Sequence, residues 1–139
     1  MNLFNYFTPK SETYYIMANS TIRQALEKFD VHKFSIVPII DRSGIYVSTV
    51  SEGDILRYIK NEADFDINVA ENTLISDIEK YRPYKACSTN VSAEAVINLA
   101  MEQNFVPLVD DRGAYIGIIK RKTILEYLKK KAGAEIKAL

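Results

Sequence analysis

The residues best spaced for chemistry in this chain are Ser51-Glu-Gly-Asp54, standing directly before Ile55-Leu56. A hydroxyl and a carboxylate three positions apart can satisfy the main-chain groups at the head of a helix, the capping-box pattern. The same pair can instead contact a ligand, and the two readings are compatible. Later in the chain the corresponding place reads Lys120-Arg-Lys-Thr123. It has no carboxylate. Lys120 and Arg121 could attract phosphate, although a solvated helix start is the simpler reading. Other chemistry finds little support. His32 is the sole histidine and Cys87 the sole cysteine, so an intramolecular disulfide is impossible and a zinc site of the usual composition cannot be assembled. No strained serine turn accompanies His32, and Cys87 has no neighbouring histidine, so it reads as a buried small thiol. No catalytic residue and no metal site is assigned, and no enzyme activity is expected.

The elements that must position Ser51 and Asp54 occur twice. Ser35 to Lys60 returns as Asn104 to Lys129 at an offset of 69 residues, with Pro38 on Pro107, Gly44 on Gly113, Tyr46 on Tyr115 and Tyr58 on Tyr127. That spacing is longer than solenoid repeats and points to two small α/β units. So short a unit buries little apolar surface alone, so the halves are expected to share a core about a pseudo-two-fold axis. Each repeat reads β-α-β-β-α. Leading segments at Leu3–Thr8 and Leu74–Glu79 precede short strands at Thr13–Ile16 and Tyr84–Cys87. A first helix starts at Ser20 or Thr21, with Thr21-Ile-Arg-Gln24 as a capping box and Ile22, Ala25, Leu26 and Phe29 as its apolar face. Its counterpart opens at Asn90 or Ser92 and carries Ala95, Val96 and Leu99. Hairpins follow: Ile36–Ile40 with Ile45–Val50, and Val106–Val109 with Ala114–Ile119, joined by Asp41-Arg-Ser-Gly44 and Asp110-Asp-Arg-Gly113, where glycine supplies positive φ. Second helices run over Gly53–Lys60 and from Thr123 to about Lys131. The expected organisation is a first repeat over 1–63, a polar linker over 64–73, a second repeat over 74–132 and a tail over 133–139.

Lysine plus arginine and aspartate plus glutamate balance at 18 each. Zero net charge argues against nucleic acid or an anionic membrane as an obligatory partner. Nothing reads as a signal peptide, and no apolar run approaches the ~20 residues that span a bilayer, so a cytoplasmic location is expected. The nine tyrosines and six phenylalanines are scattered along the elements and do not form a stacking platform for bases.

The apolar-Pro-apolar-apolar-Asp strand, the glycine turn and Gly44-Ile-Tyr-Val-Ser-Thr-Val-Ser-Glu-Gly-Asp54, occurring in order and echoed in a second copy, resemble a tandem pair of cystathionine-β-synthase (CBS) domains, a Bateman module. The resemblance covers roughly Leu3 to Lys129. It implies a regulatory fold, commonly a homodimer, that binds AMP, ADP, ATP or S-adenosylmethionine in clefts between the repeats. In such a site Asp54 can accept hydrogen bonds from both ribose hydroxyls, Ser51 can bond ribose or phosphate, and the helix N-terminus favours the anion. The implied dominant cleft combines Ser51 and Asp54 with Tyr84, Lys85, Ala86, Cys87, Asn104, Phe105 and Val106. A weaker one combines Lys120 and Thr123 with Tyr14, Tyr15, Ile16, Ser35, Ile36 and Val37. Many nucleotide-binding members carry His or Arg just before the apolar-Pro strand, where this chain has Ser35-Ile36 and Asn104-Phe105. That departure disfavours tight ATP binding. A docking or oligomerisation module with vestigial clefts, serving an unidentified protein partner, is the alternative.

Overall fold

A computed structural model of the chain describes residues 3–62, 64 and 66–138. Met1, Asn2 and Leu139, and Ala63 and Phe65 of the expected linker, lie outside the described residues. The fold is mixed α/β, with two small sheets and five α-helices among those residues. Two units divide it: one runs from Tyr14 to Tyr84, and the other joins the N-terminal segment up to Thr13 to everything from Lys85 onward.

In the Tyr14–Tyr84 unit, β2 (Ile16–Met17), α1 (Ile22–His32), β3 (Ile36–Ile40), β4 (Tyr46–Ser51), α2 (Glu52–Asn61) and α3 (Ile67–Asn72) follow in order. The sheet order is β2-β3-β4, parallel between β2 and β3 and antiparallel between β3 and β4. Thr21 caps α1 with the reciprocal Gln24 bond, as its spacing predicts. Ile22, Ala25 and Phe29 enter the core, whereas Leu26, expected with them, is 37% exposed. The stretch expected as a polar linker carries α3, whose Ala70 packs into that core. Asp66 caps α3. The Thr73 carbonyl then accepts the Ile22 N–H at 2.9 Å, and the Ile75 N–H donates to the Ser20 carbonyl at 2.7 Å. A 3₁₀ turn at Ile75–Asp77 follows, with Ile75 and Ile78 buried beside Ile16, Val37 and Val50.

The second unit repeats this order with β5 (Cys87–Ser88), α4 (Ala93–Ala100), β6 (Phe105–Val109), β7 (Tyr115–Lys120) and α5 (Arg121–Ala138). Its sheet has four strands, β1-β7-β6-β5, because β1 (Thr8–Pro9) from the N-terminal segment pairs antiparallel with β7. Ser92, not Asn90, caps α4, and α5 continues well beyond the expected end near Lys131. The short strands, at Ile16 and Cys87, both begin three residues later than the expected starts at Thr13 and Tyr84. Each hairpin turn is built alike. Asp41 Oδ1 accepts the N–H groups of Ser43 and Ile45, and Asp110 Oδ1 those of Arg112 and Ala114, all at 2.9 Å, with Gly44 and Gly113 both at φ +84°.

The leading segments are exchanged relative to the sequence repeats. Phe4 and Phe7, which precede the first hairpin in the chain, pack on the core of the second, around Val106, Leu108 and Ile119. Ile75 and Ile78, which precede the second, are buried in the core of the first.

Candidate functional site

The head of α2 is fixed by its own sequence. Ser51 Oγ accepts the Asp54 N–H at 3.1 Å, and Asp54 Oδ2 accepts the Ser51 N–H at 2.9 Å, completing the capping box. The motif therefore caps the helix, and it does more. Asp54 is 5% exposed, and a buried carboxylate is costly unless it is paired and hydrogen-bonded. Its Oδ1 accepts from Arg57 Nη2 and from the Tyr81 N–H, each at 2.9 Å. The Arg57 guanidinium lies 4.6 Å from the centroid of the Tyr81 ring, and Arg82 stands 5.6 Å from that centroid.

A pocket of about 340 Å³ opens here, lined by Asp54, Arg57 and Tyr58 of α2 and by Asp77, Glu79 and Tyr81 of the following segment, among others. Four of its lining side chains are carboxylates (Asp54, Glu62, Asp77 and Glu79) against one cation, Arg57. Lys80 is half-buried. Its Nζ donates to the carbonyls of Ile75, Ser76 and Ile78 at 3.0, 3.3 and 2.7 Å. Burial pulls the Lys80 ammonium below the usual lysine range, opposed in part by the charges of Asp54 and Asp77.

The remaining sequence-predicted residues divide between the units. In the unit of Asp54, the Tyr84 carbonyl accepts from the Tyr46 hydroxyl at 3.2 Å. Tyr14 stacks on His32 with centroids 4.5 Å apart and meets Phe34 at 5.4 Å. Ile16 and Val37 are core residues, Tyr15 and Ile36 are half-buried, and Ser35 is exposed with its carbonyl accepting the Glu52 N–H at 2.9 Å. In the other unit, the Cys87 and Val106 side chains lie in the core, and burial pushes the Cys87 thiol up. These four core side chains are not free to sandwich a ring, and only their main chains could read a ligand. Asn104 is exposed, and its carbonyl accepts the Arg121 N–H at 3.0 Å, the counterpart of the Ser35 bond. Lys120 is exposed and Thr123 half-buried. Arg121 is not a solvated cation: its Nε donates to the Ala100 carbonyl at 2.8 Å, at the end of α4.

Gln103 was not marked by its spacing. It is 4% exposed. Its Oε1 accepts the Lys85 N–H at 2.8 Å, and its Nε2 donates to the carbonyls of Lys85 and Phe105 at 3.1 Å each. One amide thus ties Lys85 and Phe105 together, with Ala86 next to the first and Asn104 next to the second. The available signal was a polar residue at the offset position of Phe34.

Among the described residues no group of His, Cys, Asp and Glu side chains could hold a metal ion, and no helix is long and apolar enough to cross a membrane.

Comparison with solved structures finds the same fold repeatedly. A CBS domain protein from Streptococcus pneumoniae TIGR4 superimposes with a TM-score of 0.83 at 22% identity, covering 93% of this chain and 87% of that one. CbpB of Listeria monocytogenes, solved in complex with c-di-AMP, gives 0.83 at 16% identity, covering 96% and 99%. CBSX2, solved in complex with AMP, gives 0.70 at 23%, covering 98% of each. A curated relative, the homoserine O-acetyltransferase of Methanohalophilus mahii, is 31% identical over 107 residues, 75% of this chain, and the chain spans about a fifth of that protein's length. The CBS domain sequence profile matches twice, over residues 8–61 and 75–130. With both copies matched across most of its length, the chain belongs to the CBS domain family as a tandem pair.

Proposed function

We propose that the chain is a regulatory module that senses an adenosyl ligand through the head of α2, and that it is not a catalyst. The observation that carries this reading is the buried carboxylate of Asp54 at a helix start, opening on a pocket of about 340 Å³, a volume within the range of small-molecule sites. Asp54 would accept from ribose hydroxyls. Ser51 Oγ, already an acceptor for the Asp54 N–H, would donate its hydroxyl proton to the ligand. The Tyr84–Cys87 and Asn104–Val106 segments are proposed as further contributors through their main chains, and Lys120 and Thr123 as parts of a weaker site.

Structures of the same fold solved in complex with AMP or c-di-AMP suggest these two as candidate ligands. Four carboxylates against one arginine around Asp54 disfavour a triphosphate tail, since like charges repel. AMP or the cationic S-adenosylmethionine suits that lining better than ATP. The match of this chain to a fifth of a larger protein supports a portable regulatory unit.

A thermal-shift panel with AMP, ADP, ATP, S-adenosylmethionine and c-di-AMP tests the reading. A ligand at about 100 times its Kd adds roughly 2.7 kcal/mol, a rise of several degrees in Tm. A rise with one of them supports the sensor. A second reading, a docking module built on its helices, is favoured by Leu56 and Leu125, which hold the same place in the two copies and are 62% and 58% exposed. A stable dimer with no response to any of the five ligands would select it.

A further inference from the structure

We propose that Arg57 and the main chain of Tyr81 form a latch on Asp54, which a ligand presenting both hydroxyls of a free ribose must open. The inference rests on the reading of Asp54 as the ribose contact and adds to it the element that responds.

The acceptor capacity of Asp54 is nearly full. An ionised carboxylate offers about four lone-pair sites. Three are taken: Oδ1 by Arg57 Nη2 and the Tyr81 N–H, and Oδ2 by the Ser51 N–H, each at 2.9 Å. Among the described residues, one site on Oδ2 remains. A vicinal diol needs two, so one existing donor has to leave. The Ser51 bond belongs to the cap and is fixed by the helix start. Arg57 and Tyr81 are the exchangeable pair. Arg57 is exposed, with 48% of its side chain accessible. Tyr81 is 67% exposed and sits in a segment without regular secondary structure. The guanidinium and the Tyr81 ring lie in cation–π contact at 4.6 Å, so displacing either disturbs the other.

The surroundings confine the motion. Lys80 is anchored by three carbonyls on one side of Tyr81. On the other, Tyr84 is anchored through its carbonyl by the Tyr46 hydroxyl. Between these fixed points only Tyr81, Arg82 and Pro83 are left to swing. Opening the latch would move two arginines and an exposed aromatic ring at the surface, a change that a partner could read. The latch also discriminates between ligands. A 2′-deoxyribose, or a ribose linked through its 3′ oxygen, offers one hydroxyl, which the vacant Oδ2 site can accept with the latch shut.

The chain contains no tryptophan, so Tyr81→Trp places a single reporter in the latch while keeping its N–H and its cation–π contact. This variant is titrated with AMP, S-adenosylmethionine and 2′-deoxy-AMP, following emission and calorimetric heat in parallel. AMP or S-adenosylmethionine should change the emission with the midpoint seen by calorimetry, whereas 2′-deoxy-AMP should bind and leave it nearly unchanged. Adding Arg57→Gln should move the ligand-free emission toward the AMP-bound value. Calorimetric binding of AMP or S-adenosylmethionine with unchanged emission overturns the latch and leaves the functional reading standing, as does a full response to 2′-deoxy-AMP. No heat from either diol ligand overturns the functional reading together with the latch.

Discussion

Gly117 and Ser48 hold the same place in the two copies of the hairpin and meet opposite surroundings. A Cβ on Gly117 would lie 2.2 Å from the Thr8 carbonyl oxygen and 2.9 Å from the Phe7 ring, so the close approach of β1 to β7 requires the missing side chain. On β4, an edge strand of its sheet, Ser48 is tolerated, but its hydroxyl is buried and has no hydrogen-bond partner among the described residues. Gly117→Ala is therefore expected to push β1 off the sheet and lower unfolding stability by about 1–3 kcal/mol or more. Ser48→Ala should be neutral or slightly stabilising, because it removes an unsatisfied polar group. Denaturant melts of the two variants check both signs. Asp110 anchors the turn of the second hairpin. Hydrogen bonds from the main chain of Ala114 and Arg112 hold its carboxyl below the ordinary value of 3.8. The unfolded chain then binds more protons than the folded one in that range, so this stabilisation is full above the ordinary carboxylate pKa and is lost as pH falls through the lowered one. Melts of Asp110→Asn between about pH 2.5 and about pH 6 should show a shallower acid limb than the unmodified chain. An identical limb would remove Asp110 from that account.

At the scale of elements, what the sequence made legible follows the strength of local signals. The capping boxes of α1 and α2, the Asp-to-Gly hairpin turns and the apolar-Pro strands could be read directly, because each has a mechanism confined to a few residues. The β2 and β5 strands could not be placed to the residue, since each is two residues long and parallel pairing to a distant strand decides where it begins. α3 was hidden in an acid-rich stretch because only one of its residues, Ala70, is buried. Gln103 was hidden for another reason: a buried amide serves whichever main-chain groups tertiary structure brings to it. Gln103→Ala leaves the Lys85 N–H and two carbonyls short of partners and should cost about 1–3 kcal/mol. The denaturant midpoint should fall without a change in m, while Ala at the exposed Asn98 should have little effect.

For the whole molecule, neither unit is one sequence repeat. The N-terminal segment completes the sheet of the second hairpin, and the Leu74–Tyr84 segment completes the unit of the first. The duplication was plain from the 69-residue offset, but the exchange was not, because Phe4, Phe7, Ile75 and Ile78 suit either core by hydrophobicity alone. Gly117 against Ser48 was the local trace of it. The exchange also bears on Asp54, since it is the Leu74–Tyr84 segment that brings the Tyr81 N–H to the carboxylate. As a site, the Ser51–Asp54 pair was legible as cap and as ligand contact together. The bond from the Tyr81 N–H could not be read, because it comes from a segment 27 residues away in the chain, whereas Arg57 stands within local reach, three positions on along α2. Calorimetric titration of AMP into the unmodified chain and into Asp54→Asn, which keeps an acceptor for the cap but removes the charge, separates ligand sensing from helix capping at this carboxylate. Sensing through Asp54 predicts saturable AMP binding that weakens at least about tenfold, some 1.4 kcal/mol, in the variant. Equal affinity in the two proteins would contradict it.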